Sequence, residues 1–291
     1  KVVPDADLIF AVGPAYSTER FGLACKPYVK TGQKYVICPS SCCGSIVFKN
    51  ALGLDIKDES VIVSETSTLP YAVRITGNAK ISVYNRLKGG YFIAALPTKY
   101  TKEIYDILVK VFDKACIAEN ILKTTLQNGN PVIHPAVSLM NAALIERTNG
   151  NFLFYEEGVT ASVGRVMEVD KERIALGAKL GIKVIADPVI GMEQGYQEEP
   201  TYDIGYSKAI GFKGIMAQPS LDYRYFNEDA GYGLVFLTDL GEHIGVETPT
   251  MNALLKLVSV AMGRDYKAEK ARTMEKLKLD KYNLEELKQI L

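Results

Sequence analysis

The sequence predicts an α/β fold followed by an all-α domain. Short apolar runs alternate with helical patterns in the first third of the chain, which indicates a doubly wound parallel sheet. From about residue 127 onward, helical periodicity replaces the strand patterns and indicates a second, helical domain. A length of 291 residues suits two domains, and a hydrophobic share of 47% is enough for both cores.

Three apolar runs are the predicted strands of the parallel sheet: residues 8–12, 35–38 and 60–64. The first connecting helix begins near Ser17 or Thr18, a polar N-cap, and ends near Lys30. The second covers residues 46–52 and ends at Gly53, which suits a left-handed C-cap. This alternation is typical of about half of a Rossmann-type dinucleotide-binding sheet, so we predict a partial Rossmann domain.

The first strand, residues 8–12, is apolar on both faces and would lie at an open edge of the sheet. An apolar, unpaired edge favours aggregation, so we expect a preceding strand–helix–strand unit outside the given sequence. The chain begins at Lys1 and has no Gly-x-Gly-x-x-Gly after a strand, the fingerprint that this preceding unit would carry.

The pattern changes after the third strand. Residues 72–76 and 80–84 alternate with a period of two around Gly77-Asn78, which predicts an antiparallel hairpin. Residues 91–96 are a further predicted strand, and residues 101–114 an amphipathic helix. The first domain is therefore expected to extend over residues 1–126.

The second domain, residues 127–291, is expected to be helical and to hold the substrate site. Its predicted helices are residues 135–147, 160–180, 234–244, 248–262 and 283–291. Asn283 and Glu286 form a capping-box pattern at the start of the last helix. Residues 191–229 are rich in glycine and aromatic side chains, and are too irregular for one helix.

Composition excludes several classes of partner. The 34 basic and 34 acidic residues balance, so no net charge attracts nucleic acid or an anionic membrane. No apolar run reaches the roughly 20 residues that a membrane-spanning helix needs. Five cysteines, bunched early, form neither a disulfide framework nor a zinc pattern, so we expect no metal site and a cytoplasmic location.

The most informative segment is Asn130-Pro131-Val132-Ile133-His134-Pro135, which contains one of only two histidines in the chain. A helix beginning near Pro135 would place residues 134, 138 and 141 on one face. Histidine's unperturbed pKa allows proton transfer near neutrality, so His134, between the amides of Asn130 and Asn141, is a candidate general acid/base. The alternative is a structural histidine at a helix end.

Two further regions carry polar groups that suit a ligand. The Arg224 guanidinium matches a carboxylate, and Asp229 could hold an imidazole by its N–H group; the alternative is a surface ion pair. Ser64-Glu65-Thr66-Ser67-Thr68-Leu69-Pro70-Tyr71 and Gly13-Pro14-Ala15 follow predicted parallel strands, at the edge where such sheets bind ligands. For the first of these stretches, a capped turn is the alternative.

Taken together, these segments resemble the octopine/nopaline type of opine dehydrogenase. The matching residues occur in this order: Asp7-Leu8-Ile9-Phe10-Ala11-Val12-Gly13-Pro14-Ala15, Cys38-Pro39, Glu65-Thr66-Ser67-Thr68-Leu69-Pro70-Tyr71, Asn130-x-x-x-His134-Pro135 with Asn141-Ala142 and Ile145-Glu146, and Arg224-Tyr225-x-x-Glu228-Asp229. The likeness covers essentially the whole chain. Its most specific parts are the segments around His134 and Arg224–Asp229.

The resemblance implies an NAD(P)-dependent oxidoreductase that condenses an amino acid with a 2-keto acid and reduces the resulting imine. It also implies a Rossmann domain followed by a helical domain, with the active site in the cleft. His134 and Asp229 match the family's catalytic pair, and Asn130 matches a position that lines the substrate site. The cofactor is NAD or NADP, a choice left open because the fingerprint region is absent.

The expected ligand contacts fall into two groups. Substrate contacts are expected from Arg224, Asn130, Asn141, Thr66 and Tyr225. Cofactor contacts are expected from Gly13, Pro14, Ala15, Ser64 and Glu65. An aspartate beside His134 is also expected to raise the imidazole pKa and to orient the ring.

Two other functions stay open at this stage. One is another dehydrogenase with Rossmann and helical domains, acting on a hydroxy acid or a sugar phosphate, which a lysine in the cleft would indicate. The other is a non-catalytic protein of the same fold that binds a metabolite. Residues 254–291 carry a Lys/Glu face that suits either a homodimer contact or a solvated surface.

Overall fold

The computed structural model describes residues 2–291, and at its centre lies a five-stranded sheet of order β1-β2-β3-β6-β7. With a separate hairpin, β4–β5, the strands are β1 Leu8–Val12, β2 Lys34–Cys38, β3 Ile62–Thr66, β4 Tyr71–Gly77, β5 Lys80–Arg86, β6 Tyr91–Leu96 and β7 Ala115–Ile117. Strands β1, β2 and β3 are parallel, but β6 pairs antiparallel with β3. The α/β class is confirmed, and the sheet is mixed because the hairpin returns the chain at the edge where β3 ends.

The α-helices flank the sheet and make up the second half of the chain. They are α1 Ala15–Cys25, α2 Gly44–Leu52, α3 Thr101–Leu108, α4 Ile121–Leu126, α5 Asn130–Met140, α6 Ala142–Thr148, α7 Ala161–Met167, α8 Asp170–Leu180, α9 Asp187–Glu193, α10 Ile204–Ser207, α11 Arg224–Asn227, α12 Val235–Ile244, α13 Pro249–Met262, α14 Tyr266–Glu269 and α15 Leu284–Ile290. A π-helical segment, Asp229–Leu234, joins α11 to α12. The helical second half expected from the sequence is therefore confirmed.

Strand β2, which lies between β1 and β3, is buried on both faces, as an interior parallel strand requires. Tyr35 and Ile37 pack against α2, whereas Val36 packs on the opposite face with Ile104 of α3. A third and larger apolar cluster joins the sheet, through Leu96, to the core of the helical half. The two halves therefore share packed apolar surface, which holds the cleft between them.

Strand β1 lies at the edge of the sheet, as its position in the chain predicts. Only Ala11 is buried, whereas Phe10 and Val12 are 41% and 55% exposed. The apolar, exposed edge expected from the sequence is therefore present in the described residues, where β2 is the single neighbour of β1 in the sheet. Helix α1 begins at Ala15, earlier than predicted, with Pro14 as its N-cap residue.

Strand β3 begins two residues later than predicted, because Ser60 belongs to a turn. Its backbone N–H donates to the Asp58 carboxylate at 2.8 Å, which leaves Ile62 as the first strand residue. The positions of three predicted site residues therefore differ from those expected. Ser64, Glu65 and Thr66 lie inside the strand and are buried, not in the turn that follows it.

Helix α5 begins at Asn130 rather than at Pro135, so His134 lies inside the helix. Pro131 occupies the first turn, where a missing N–H costs nothing, and Pro135 is accommodated further along at the loss of one hydrogen bond. The predicted helix 135–147 is also two helices, which break at Asn141. The amide of Asn141 donates to the carbonyls of Val137 and Gly158 and so stabilises the break.

Other helices are shorter than predicted. The pattern over residues 160–180 is two helices, α7 and α8, which are separated at Glu168 and Val169. Helix α3 ends at Leu108, six residues before the predicted end at residue 114, and the short strand β7 begins at Ala115. The capping box of Asn283 and Glu286 is confirmed.

No helix within residues 2–291 is long and apolar enough to cross a membrane. The same residues contain no group of three or more His, Cys, Asp and Glu side chains placed to hold a metal ion.

Candidate active site

A cavity of about 210 Å³ opens between the hairpin, the start of α5 and the irregular aromatic region. Three of the predicted site residues line it: Asn130, His134 and Arg224. The hairpin contributes residues 71–74, which lie directly after the end of β3. The cavity therefore lies beyond the carboxyl end of a strand, where open α/β sheets bind ligands.

His134 and Asp229 form a buried pair at the cavity wall. The ring Nδ1 atom lies 2.8 Å from Asp229 Oδ2, and the ring Nε2 atom lies 3.1 Å from the Tyr155 hydroxyl. A carboxylate only accepts hydrogen bonds, so we assign the ring proton to Nδ1. The Nε2 atom then accepts a hydrogen bond from Tyr155, which also lines the cavity.

The pKa of His134 is lowered from its ordinary value. Burial, which disfavours the charged ring, is the largest cause, and the charges of Arg224 and Arg74 act in the same direction. Asp229 opposes them without reversing the shift. The expectation that Asp229 would leave His134 with a raised pKa is therefore wrong, and the imidazole is neutral near pH 7.

The π-helical segment brings Asp229 to His134. The N–H of Gly233 donates to the Glu228 carbonyl at 3.1 Å, the wide turn that defines a π-helix. Gly233 also packs against α5, because a Cβ atom there would lie 2.6 Å from Pro131 Cβ. A side chain at this position would force the segment away from α5, and with it Asp229 away from the ring.

Aromatic side chains enclose the pair. The Tyr225 ring stacks on the His134 ring with centroids 4.1 Å apart. Further along the wall, Phe212 stacks between Tyr155 and Tyr196 at 4.3 and 4.7 Å. This wall is predominantly apolar and excludes water from one side of the site, which strengthens the electrostatic interactions inside it.

Glu228 connects the helical half to two loops at the ends of the sheet strands. Its Oε1 atom accepts a hydrogen bond from the Ala15 backbone N–H at 2.9 Å and from the Ser41 hydroxyl at 3.3 Å. Its Oε2 atom lies 3.7 Å from Arg224 Nε and has no hydrogen-bond partner among residues 2–291. Burial, and then the charge of Asp229, raise the pKa of this carboxyl.

The expected nicotinamide cofactor can be tested against these loops. Gly13, Pro14 and Ala15 follow β1 and lead into α1, at the carboxyl edge of the sheet. The unpartnered, buried Glu228 oxygen beside Ala15 is the kind of acceptor that a bound donor group would satisfy. The residues present therefore fit the nicotinamide end of a dinucleotide.

Several predicted contacts do not reach the cavity. The Ser64 hydroxyl donates to the Tyr35 carbonyl, and the Thr66 hydroxyl to the Thr68 carbonyl. Glu65 is fully buried and accepts hydrogen bonds within the protein, among them the Ser45 backbone N–H at 2.9 Å. Both amide hydrogens of Asn141 are engaged by backbone carbonyls. These four side chains are hydrogen-bonded within the fold, and none of them lines the cavity.

Tyr155, Arg74 and Asp187 are among the cavity residues that were not predicted. Tyr155 is 21 positions from His134, a separation from which no helical spacing could have placed it. Arg74 lies in the predicted hairpin strand 72–76, three residues after the polar stretch 64–71. Its position next to that stretch could have identified it as a cavity residue. Asp187 has a pKa raised to about 6 by burial and by the nearby Asp170 charge. Among the described residues that line the cavity there is no lysine, the residue that the rival dehydrogenase reading requires.

Comparisons with known proteins agree with this arrangement. A family profile described as NAD/NADP octopine/nopaline dehydrogenase, alpha-helical domain, matches residues 117–262. Opine dehydrogenase of Arthrobacter sp. (strain 1C) is 33% identical over 278 residues, which cover 95% of this chain and 76% of that protein.

Solved structures share the fold. Octopine dehydrogenase with NADH and L-arginine has a TM-score of 0.74 at 17% identity, over 97% of this chain and 78% of the other. Yersinopine dehydrogenase with NADP+ bound has a TM-score of 0.66 at 14% identity, over 98% of this chain and 78% of the other.

Proposed function

The chain belongs to the octopine/nopaline dehydrogenase family, and on that premise we propose how its residues carry out the reaction of an opine dehydrogenase. It is an NAD(P)-dependent oxidoreductase acting on CH–NH bonds, which couples an amino acid with a 2-keto acid by reductive condensation. The observation that carries the residue assignment is the hydrogen bond between His134 and Asp229 at the wall of a cavity that also contains Arg224.

His134 is the proposed acid/base. An amino acid must lose a proton from its ammonium group before its nitrogen can attack the keto carbon, and the neutral Nε2 atom of His134 accepts that proton. After the C–N bond forms, His134 returns this proton to the former keto oxygen, which becomes a hydroxyl. The new nitrogen then gives up a second proton, which reaches that hydroxyl through the imidazole, so that it leaves as water and yields the protonated imine. A bound dihydronicotinamide supplies the hydride that reduces the imine carbon.

Asp229 is the proposed partner of that imidazole. Its carboxylate accepts the Nδ1 proton, which leaves the Nε2 lone pair facing Tyr155 and the cavity. It also stabilises the imidazolium that exists between proton removal and proton return. Because burial keeps the resting imidazole neutral, the base is ready before substrate binds.

Arg224 is the proposed anchor for the keto acid. Its guanidinium lines the cavity and lies close to Glu228, which in turn holds Ala15 at the cofactor edge of the sheet. The keto carbon receives the hydride, so the carboxylate of the keto acid is expected near the cofactor edge of the sheet, where Arg224 lies. Asn130 and Tyr225 border the same region, and we keep both as proposed substrate contacts.

For the cofactor, we propose contacts from Gly13, Pro14 and Ala15. They are supported by their place at the end of β1 and by the unpartnered Glu228 oxygen beside them. We also propose that the division between the cofactor-binding and catalytic halves lies at residues 126/127, where α4 ends.

Location and assembly are further proposals. All five cysteines are free thiols, which supports a reducing cytoplasm. Helix α13 exposes Leu257 and Val260, which supports a homodimer contact. Light scattering on the intact protein tests the assembly, and a monomer mass at micromolar concentration would contradict the dimer.

The decisive experiment replaces the two histidines separately. The proteinogenic amino acids are each offered with pyruvate and with 2-oxoglutarate, and the consumption of NADH or NADPH is followed. His134→Ala is expected to lose turnover by roughly 10³-fold or more, while fluorescence titration shows unchanged binding of the reduced nicotinamide.

The matched control is His243→Ala. His243 lies on α12, where its ring contacts the Tyr282 carbonyl, and it does not line the cavity. Its loss should therefore leave turnover unchanged. An unchanged kcat in His134→Ala would contradict the proposed role. A wild-type protein that binds nicotinamide but couples no amino acid with a keto acid would contradict the proposed function.

A further inference from the structure

Arg74 is a charged side chain of the cavity that the proposed mechanism does not use. It lies in β4 of the hairpin and lines the same cavity as His134 and Arg224. Its one recorded hydrogen bond runs from Nη1 to the neighbouring Val73 carbonyl at 2.9 Å. Within residues 2–291, no carboxylate lies within salt-bridge distance of it. An arginine has five N–H donors, so most of its capacity faces the cavity and solvent.

The charge of Arg74 reaches the groups around the reacting centre. With Arg224, it lowers the pKa of His134, after burial as the main cause. It also opposes the burial that raises the pKa values of Tyr155 and Tyr196 on the aromatic wall. The guanidinium is therefore electrostatically part of the site, although the hairpin is outside the main sheet.

The chemistry of the substrates requires a second cation. An amino acid and a 2-keto acid each carry a carboxylate, and in the coupled product both carboxylates flank one secondary amine. Two anions so close together repel each other unless each is paired. A guanidinium offers a planar, two-pronged donor set that matches a carboxylate. Among the described residues that line the cavity, Arg74 and Arg224 are the two that provide one.

We infer that Arg74 binds the carboxylate of the amino acid while Arg224 binds that of the keto acid, an inference that rests on the proposed function. The assignment follows from position. Arg224 adjoins Glu228 and the cofactor edge, where the hydride acceptor must lie. Arg74 acts on Tyr155 and Tyr196, whose aromatic wall suits the side chain of the amino acid.

A binding experiment tests this without turnover. The probe is iminodiacetate, a secondary amine flanked by two carboxylates. It is titrated calorimetrically into protein saturated with NADH or NADPH. Iminodiacetate has no imine bond, so the cofactor cannot reduce it. N-methylglycine, which has one carboxylate, is the comparison probe. Wild type should bind iminodiacetate at least tenfold more tightly than N-methylglycine, and in Arg74→Gln this preference should fall to below about threefold.

The matched control is Arg86→Gln, on β5 of the same hairpin. Arg86 pairs with Asp113 at 3.0 Å and does not line the cavity. Arg86→Gln therefore removes one positive charge from the same hairpin, and the preference for iminodiacetate over N-methylglycine should not change. Arg74→Lys should recover part of it, because it keeps the charge but loses the two-pronged geometry. Equal loss in the Arg86 and Arg74 variants would overturn the inference, since a general field would then explain the effect.

Kinetics separate the two substrates. Arg74→Gln is expected to raise KM for the amino acid at least tenfold and KM for the keto acid by less than about twofold. A rise confined to the keto acid, or no rise in either, would overturn the assignment. A wild-type protein that couples no amino acid with a keto acid would instead refute the proposed function, and the iminodiacetate titration still reports on Arg74 in that case.

Discussion

Two buried polar networks, both marked by the sequence as candidate sites, differ in whether their hydrogen bonds are complete. The first, which we call the Glu65 network, joins that carboxylate to Ser40, Ser45, Thr124 and Thr125. Every partner is internal and the carboxylate is fully buried. It connects β3 to the start of α2 and to α4 by hydrogen bonds. None of its acceptor atoms is left for a ligand.

The second, which we call the His134 network, comprises His134, Asp229, Tyr155, Arg224 and Glu228. Here hydrogen-bonding capacity is left over: within residues 2–291, Glu228 Oε2 accepts no hydrogen bond, and it faces Arg224 Nε at 3.7 Å as an ion pair. Unused capacity is costly to bury, so a fold that keeps it at a cavity wall keeps it for a ligand. Both networks are polar, but they differ in hydrogen-bond completeness, and the Arg224 side chain is 43% exposed whereas Glu65 is fully buried.

The largest expected effect tests the His134 network directly. Asp229→Asn keeps the size of the side chain but no longer secures the Nδ1 proton, so the ring loses its assigned tautomer. We expect kcat to fall by roughly 10³-fold, while the urea midpoint of unfolding changes little. Steady-state kinetics and denaturant titration on the same preparation measure both quantities. A tenfold loss or less would mean that the aspartate is structural.

The second prediction concerns the Glu65 network and should show the opposite behaviour. Glu65→Gln removes the charge that several donors share, and it leaves one of them facing an amide N–H group. We expect the free energy of unfolding to fall by about 2–3 kcal/mol, with kcat of the folded protein unchanged. Glu275→Gln, at an exposed ion pair, is the control and should cost under about 1 kcal/mol. If kcat collapsed in folded Glu65→Gln, the contrast between the networks would be lost.

The third prediction sharpens the role of Tyr155. Its hydroxyl donates to Nε2 and so favours the neutral ring. In Tyr155→Phe, the pKa of His134 should rise, and the acid limb of the kcat/KM profile should move to higher pH. The wild-type limb itself is expected below pH 6.5, since the His134 pKa is lowered. A downward shift would show that the hydroxyl accepts from the ring instead.

The smallest expected effect concerns Asp187, at the far side of the cavity. Its folded pKa of about 6 lies above the unfolded value of about 3.9, so the folded state holds a proton that the unfolded state has lost. Stability therefore falls as pH rises between about 4 and 6. Asp187→Asn should remove this cost, so that its stability no longer falls between about pH 4 and 6 and exceeds that of the wild type at pH 7. Thermal unfolding across that pH range measures it, and equal pH dependence in both proteins would contradict it.

The order of elements was readable from the sequence because local patterns encode it. Strand residues 35–38 and 91–96, the hairpin and the capping box of Asn283 all appear where periodicity and turn chemistry placed them. Element ends were less accurate where one residue type fits two positions. Pro135 suited a helix start, but Pro131 already filled that role, and so His134 moved into the helix.

The sequence by itself determined the α/β-plus-helical architecture, the family, and the choice of His134, Asp229 and Arg224 as candidate site residues, because those depend on spacing and residue type along the chain. Tertiary structure alone decided which polar groups are spent on the fold. It buried Glu65 among hydroxyls, turned Asn141 to backbone carbonyls, and brought Tyr155 and Arg74 to the histidine from distant segments. Hydrogen-bond completeness and desolvation are properties of three-dimensional neighbours, so they emerge only when the chain is packed.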